Sequence, residues 1–511
     1  MARGLRLPSG AVLYPFLLAL LPAVHFYEAN FRIVPFGDLV RPALLGWVVV
    51  ALVLALGRLA WRDTPTAAAV TAPLLAVIFE GADMGPWVSL LALVAAVVLG
   101  VLLRRRPAAW PRLAVRPLDA AVLVLVLLPL VGAGLAARRD TPPETSDLFA
   151  ADVPMPEAAA VERRPDIYFL LVDGLGQPAF VEENFPVRPS EYSLPLARRG
   201  FTVLRHSTAN YPQTALSTAA TLNLGLLDDL LEIPAPESRD RHALADLIAG
   251  SRAVRALQDV GYAVVTYPSG YPLTRLDGAD ARRRPLLNPT FVEYYLLEDG
   301  FLPLLLPLLG RGPADVSFAL RRGRLDFIFD DLPQARQGLA TDTPAFVFAH
   351  ILAPHPPFVF DRQGGPAPSR SPFAFADGDH WLNLHGPDDT SYRRRYADQA
   401  VWVMHRLAGA IDAITADTTR EHVIIVQGDH GPGSGLRWEQ PLETDHDERF
   451  GIFNAWFVPA GTEVGLYEGM TAVNTFPVLF NALFGTRIAL QPDDHWFARM
   501  SQPYIFFPVG R

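Results

Sequence analysis

Two hydrophobic runs far apart in the chain end in side chains that bind metals. Asp166-Ile-Tyr-Phe-Leu-Leu-Val leads into Asp173-Gly174, and His422-Val-Ile-Ile-Val-Gln-Gly leads into Asp429-His430-Gly431. Each run is continuously apolar, the pattern of a strand buried on both faces. Each then breaks at glycine with a carboxylate at its C-terminal tip, and the second adds an imidazole. Parallel α/β sheets bind ligands at the carboxyl ends of their strands. Two such tips on one edge would gather Asp173, Asp429 and His430 around a single cation. A third segment, Ser207-Thr-Ala-Asn-Tyr-Pro-Gln-Thr214-Ala-Leu-Ser217, supplies an alcohol. Pro212 marks a helix start near Gln213 or Thr214. There, free backbone N–H groups and the positive end of the helix dipole favour an anion. A cation beside Thr214 would lower its hydroxyl pKa, as it lowers that of bound water from about 15.7 to about 7. The alkoxide would attack phosphorus or sulfur and give a covalent threonine intermediate. The plainer role for Thr214 is a helix N-cap, which threonine commonly fills.

Two loops add histidines. Ala345-Phe-Val-Phe-Ala-His350-Ile-Leu-Ala-Pro-His355-Pro-Pro-Phe358 is a strand running into a proline-stiffened loop, and His446 lies in the charged Glu443-Thr-Asp-His446-Asp-Glu-Arg449. His355 and His446 are candidates to hold a second metal, bind a substrate oxygen or protonate a leaving group. His350 reads as a core or strand-edge histidine.

The elements that must position these groups alternate between strand-like and helix-like patterns from Arg164 onward, which predicts an α/β domain with a largely parallel central sheet. Strands are expected at 167–172, 201–204, 263–267, 345–351, 423–427 and 454–458. Helices are expected at 214–224, 252–259, 392–415 and 475–483. The stripe Tyr396, Ala400, Val403, Leu407, Ile411 and Ile414 reads as a core-facing helix face.

The rest of the chain sets the compartment. Half of the 511 residues are hydrophobic, the formal net charge is -9 and every cation is arginine. No basic stripe marks the soluble part, so nucleic acid is not an expected partner. Cysteine is absent, which excludes disulfides, thiolate ligands and a cysteine nucleophile. Apolar runs at 11–27, 42–59, 67–79, 87–103 and 118–136 predict a five-helix transmembrane bundle. If all five cross, Arg3, Arg6, Arg58, Arg62, Arg104, Arg105, Arg106, Arg112 and Arg116 share one side, which the positive-inside rule makes cytoplasmic. Everything after Arg139 then lies outside. The expected organisation is a transmembrane domain at 1–139, a Pro- and Ala-rich linker at 140–164 and an extracytoplasmic catalytic domain at 165–511.

Together, the strand-Asp-Gly, the Pro-x-Thr helix start, the His-Pro-Pro-Phe loop and the Gly-Asp-His-Gly turn resemble the alkaline phosphatase/sulfatase superfamily. The similarity is to its membrane-anchored branch of lipoteichoic acid synthase-like and phosphoethanolamine transferase-like proteins. The resemblance implies a metal held by Asp173, Thr214, Asp429 and His430, with Thr214 as nucleophile and His355 and His446 on the substrate side. It implies one divalent ion, Mn²⁺, Zn²⁺ or Mg²⁺. It further implies a phosphotransferase or phosphohydrolase in the bacterial inner membrane, its catalytic domain periplasmic. Its partners would be membrane lipids and a lipid-linked or glycan envelope substrate. Two departures stand out. The first ligand is Asp where the transferases often carry Glu, and Thr214-Ala-Leu-Ser217 leaves Ser217 as a rival nucleophile. A formylglycine sulfatase is disfavoured, because cysteine is absent and Ser193-Leu-Pro195 is followed by Leu196 and Ala197. A sulfuric ester hydrolase of another kind and a catalytically degenerate scaffold of envelope assembly are the alternatives.

Overall fold

The computed structural model describes residues 12–105, 109–139, 144–145, 155–156, 163–232, 237–370, 372–386 and 390–510. Arg3, Arg6, Arg106 and most of the expected linker lie outside them. The chain forms two compact units. One comprises Met1–Arg139 with Pro289–Phe318 and Ser369–Phe373, and the other comprises the remainder.

In the first unit three helices are long and apolar enough to cross a membrane, Phe36–Trp61, Thr64–Arg105 and Trp110–Arg139. The first expected run instead forms two short helices, α1 (Tyr14–Leu18) and α2 (Leu21–Asn30). Pro22, which has no N–H to donate, sits at the break. α3 (Val40–Trp61) holds the second run. The third and fourth runs share one element, α4 (Thr64–Arg105), whose helical backbone is broken at Glu80 and Gly85. The break is a reversal. A Cβ on Gly100 would stand 3.3 Å from Val70 Cγ1, whereas a straight helix would separate residues 30 apart by about 45 Å. The first arm packs on α3 through small residues. Cβ atoms on Gly57 and Gly46 would meet Ala67 at 3.2 Å and Phe79 at 3.7 Å, the close approach typical of membrane helix packing. α5 (Trp110–Arg139) carries the fifth run. Its buried Asp119 accepts hydrogen bonds from the Leu13 and Tyr14 backbone N–H groups at 2.9 and 2.8 Å, so this acid serves as a cap for the chain entering α1.

The second unit is an α/β domain around a seven-stranded sheet. Its strands in chain order are β1 (Asp166–Val172), β2 (Thr202–Leu204), β3 (Ala263–Tyr267), β4 (Ala281–Arg282), β5 (Ala345–Ile351), β6 (His422–Gly428) and β7 (Asn454–Phe457), with spatial order β2-β7-β6-β1-β5-β3-β4. The pairs from β6 to β4 are parallel, while near one edge β7 pairs antiparallel with both β6 and β2. β1, β5 and β6 are buried along their whole length, which is why they lack polar alternation. The two-residue strand β4 was not expected, because a pair of residues carries no periodic signal. Register does the positioning. Val172 pairs with both Ile351 and Gly428, and Leu171 with His350. Asp173 and Asp429 therefore leave the sheet side by side, with His350 next to them on β5.

Candidate metal centre

β1 begins and ends in a buried aspartate, and the two are treated differently. Asp166, at the N-terminal edge, is bridged by Arg336 at 2.6 Å and Arg420 at 2.8 Å and accepts the Ala345 N–H. Asp173, at the C-terminal edge, is 1% exposed, and among the described residues its only ion-pair contacts are histidines. His350 Nε2 lies 3.3 Å from its Oδ2 and His430 Nε2 lies 3.6 Å from its Oδ1. Gly174 turns the chain away at φ +73°, a conformation glycine adopts without steric cost. Its N–H donates to Asp429 Oδ1 at 2.9 Å.

Asp429 Oδ1 also accepts the His430 N–H at 3.0 Å, while Oδ2 lies 3.4 Å from His430 Nε2. The His430 ring is oriented by Nδ1 against Gly431 O at 2.9 Å. A proton on Nδ1 makes that bond and leaves Nε2 as a bare acceptor, the arrangement found in metal-binding histidines. Thr214 Oγ1 lies 3.2 Å from this Nε2. Thr214 is the first residue of α6 (Thr214–Asn223) and Gln213 occupies the cap position, so the N-cap role considered for Thr214 falls to its neighbour. Gln213 makes no capping bond because its amide is engaged elsewhere. It donates to Ala498 O and accepts from Arg241. Ser217, one turn on, is 2% exposed, and its Oγ makes no hydrogen bond among the described residues.

His350 was read as a core histidine, yet it belongs to this cluster. Its Nδ1 is held by Thr274 Oγ1 at 2.8 Å and Ser269 Oγ at 3.1 Å, and Thr274 Oγ1 itself donates to Tyr271 O. Nε2 faces Asp173, and with the proton on Nδ1 it is a bare acceptor. Asp173, His350 and Asp429 each offer a ligand atom within 4.8 Å of the other two. Asp173 Oδ1, Asp429 Oδ2 and His350 Nε2 are buried and make no hydrogen bond among the described residues. Buried carboxylate oxygens of this kind are costly unless an ion or a bound group completes them. The spacings fit such an ion. Four ligands in a tetrahedron with bonds of about 2.0–2.1 Å stand about 3.3–3.4 Å apart, close to the separations above.

The electrostatics agree. Burial alone would raise the Asp173 carboxyl, but when the imidazoles beside it are charged, His355 first and then His350 and His430, they hold the group below the ordinary carboxylate range. Burial and the Arg449 charge lower the His430 imidazole despite Asp429 and Asp173, favouring the neutral form that can donate a lone pair.

The second candidate shell divides. His355 approaches the centre. Its N–H donates to Asp173 O at 3.1 Å and its ring lies 6.2 Å from that of His430. Nδ1 faces Pro356 O at 2.6 Å. His446 packs its ring against Phe450 and Phe497, with a buried Nε2 that makes no hydrogen bond among the described residues. The structure gives it no hydrogen bond to Asp173, Thr214, Asp429 or His430. Two further groups stand near. Arg241 is 6% exposed, donates to Gln213 and to Met500 O, and has no carboxylate partner among the described residues. Burial pushes the nearby Tyr271 hydroxyl up to about 12 against the lowering field of Arg241, so it remains a hydrogen-bond donor.

No protein-family model and no curated protein matches this chain. The solved structures it resembles are phosphoethanolamine transferases and sulfatases. The C-terminal periplasmic domain of EcEptC from Escherichia coli, in complex with Zn, is similar over 70% of this chain and 96% of its own, at 10% identity and a TM-score of 0.42. The integral membrane lipooligosaccharide phosphoethanolamine transferase A from Neisseria meningitidis is similar over 96% of both chains, at 12% identity and a TM-score of 0.38. A putative sulfatase from Bacteroides thetaiotaomicron covers 66% of this chain and 74% of its own, at 12% identity and a TM-score of 0.40.

Around the centre, the helix α7 (Ser391–Thr415) does more than fill the core. Tyr396 OH donates to Gly174 O at 2.8 Å and accepts the Gly176 N–H, while Tyr392 OH accepts the Gly433 N–H and donates to Asp377. Gln399 Oε1 accepts the Val359 and Phe360 N–H groups, and its amide donates to Pro354 O. Positions 392, 396 and 399 share one helix face, so a single face ties the loop after Asp173, the His355 loop and the turn after His430. Arg449 adds a second tie. Its buried guanidinium donates to Pro212 O at 2.8 Å, Gly431 O at 3.1 Å and Asp377 at 2.7 Å, joining the approach to Thr214 to the His430 turn.

Proposed function

We propose that the chain is a metal-dependent transferase or hydrolase of phosphate esters that works through a covalent bond to Thr214. The observation that carries this reading is the convergence of buried ligand atoms without hydrogen bonds, from Asp173, Asp429 and His350, on the one helix-start alcohol that touches His430. Asp173, Asp429, His430 and Thr214 would hold the ion, with His350 as an additional nitrogen. When bound, a divalent ion there supplies Lewis-acid stabilisation of charge on the substrate oxygens and on the threonine oxygen.

The chain's own groups account for the rest. Thr214 presents its hydroxyl from the first turn of α6, where backbone N–H groups face the incoming anion. Its hydroxyl proton leaves to solvent, and the resulting alkoxide bonds to phosphorus as the bond to the leaving oxygen breaks. His355, as the imidazolium, would give that oxygen a proton from Nε2. Arg241 and Tyr271 supply positive charge and a donor for the nonreacting oxygens. Water or an acceptor alcohol then releases the phosphoryl group from Thr214.

The reading extends to the compartment. The apolar runs form a five-pass membrane domain, α4 counting as two passes, with the α/β unit on the periplasmic face of the bacterial inner membrane. The acidic residues at the α4 reversal, Glu80 and Asp83, and the arginines at the opposite ends of the spans support this orientation. A lipid-linked or glycan envelope substrate follows from tethering the centre to a bilayer. Purified full-length protein tested on phosphomonoesters, phosphodiesters and sulfate esters, with Thr214→Ala beside it, decides the chemistry. Phosphate-ester turnover lost in Thr214→Ala supports the proposal, and turnover of sulfate esters alone overturns it.

A further inference from the structure

Residues 301–309 read Phe-Leu-Pro-Leu-Leu-Leu-Pro-Leu-Leu, without one polar side chain. They come from the middle of the sequence yet belong to the same compact unit as the long apolar helices. Two attachments fix them there. Upstream, α8 (Phe291–Asp299) starts in a capping box between Thr290 and Glu293. It packs Phe291, Val292 and Leu296 on Ala23, Phe26, Val34 and Leu39, and Glu293 pairs with Arg41 at the start of α3. At the segment itself, Phe301 N–H donates to Ile78 O at 3.2 Å, close to where the α4 ladder is interrupted. Leu304 lies on Gly81, 3.1 Å from where a Cβ would be. The start of α3 and the reversal of α4 lie at the same end of the helices, since Gly46 is packed against Phe79.

From these attachments Phe301, Leu305, Leu308 and Leu309 point outward, the last two 80% and 75% exposed. Water is a poor solvent for such a cluster, and the neighbouring spans expose the same chemistry at Leu56 and Leu91. Nine residues rise about 14 Å as a helix, half of a hydrocarbon core of about 30 Å. The segment is too short to cross and apolar enough to enter. Gly310, at φ +68°, turns the chain out, and Arg311 follows it.

We infer that residues 301–309 form a wedge lying in the membrane interface, seated in the leaflet at the α4-reversal end of the spans, with lipid as the partner of Phe301, Leu305, Leu308 and Leu309. This rests on the membrane reading above and adds a monotopic element to it. Because the chain has no cysteine, a single introduced thiol reports on it. Leu308→Cys and, as a reference inside a span, Leu91→Cys are labelled with a fluorophore in the full-length protein. The labelled proteins are reconstituted in phosphatidylcholine/phosphatidylglycerol vesicles. Quenching by brominated acyl chains is then compared with quenching by aqueous iodide. The inference predicts that brominated lipid quenches both probes several-fold more than iodide does. Iodide quenching at position 308 with lipid quenching at position 91 overturns the wedge and leaves the spans intact. Iodide quenching at both positions overturns the membrane reading, and the wedge with it.

Discussion

Asp166 and Asp173 bracket one strand, and the arginines belong to the first. That contrast argues for a cation at the second. If Asp173 were a structural acid, a guanidinium would be its ordinary buried partner. Instead it faces two imidazoles and a second carboxylate. Replacing Thr214 by Ala is expected to cut turnover on the order of 10⁴-fold with metal content retained, read by steady-state kinetics beside elemental analysis. Loss of metal with turnover intact would contradict the role given to this alcohol. His350 permits a subtler test through its supports. Ser269→Ala combined with Thr274→Val frees the ring, and metal affinity should fall by about 10- to 100-fold, measured by competition with a chelating dye. Unchanged affinity would return His350 to a packing role.

At the scale of elements, the ties around the centre make predictions about stability. Burial would raise the Asp377 carboxyl, but Arg449 and His355 hold it below the usual range. A carboxylate lowered in the folded state stabilises above its unfolded value of about 3.9 and loses that contribution as pH falls through the folded value. Removing Arg449 as Arg449→Leu strands the Asp377 charge and should cost about 3–5 kcal/mol at neutral pH, read from urea unfolding. Adding Asp377→Leu should recover part of the loss. Full additivity of the two changes would show that the pair is not coupled. Gly431→Ala offers an independent check, because its Cβ would collide with Glu448 O. A lower melting temperature, for a cost of about 1–3 kcal/mol, is expected.

Much of this layer was legible in the sequence. Continuous apolar runs named β1, β5 and β6 to within a residue, and Pro212 located the start of α6. His350 stayed hidden because it interrupts an otherwise apolar strand, where an imidazole bonded to neighbouring hydroxyls looks the same as a ligand. Tyr392, Tyr396 and Gln399 stayed hidden for a related reason. A helix face that anchors loops and one that fills a core have the same spacing, and only the hydroxyl and amide partners tell them apart.

For the whole molecule, the apolar runs marked where three long apolar helices lie but not their continuity. Pro22 interrupts the hydrogen bonds of the first run, and the third and fourth merge into one element whose reversal at Glu80–Gly85 appears in the Val70–Gly100 packing. The attachment of residues 289–318 to this unit had no signal along the chain, since it depends on surfaces distant in sequence. A labelling scan with single cysteines at Arg58 and Asp83 should find the first protected from an impermeant thiol reagent in intact cells and the second reactive. The reverse pattern would invert the orientation. The account as a whole stands on one ion in the second unit. Elemental analysis of the purified full-length protein should find one divalent metal per chain, strongly reduced in Asp173→Asn with the melting curve still cooperative. Equal metal in wild type and Asp173→Asn, or none in a folded wild type, would contradict it.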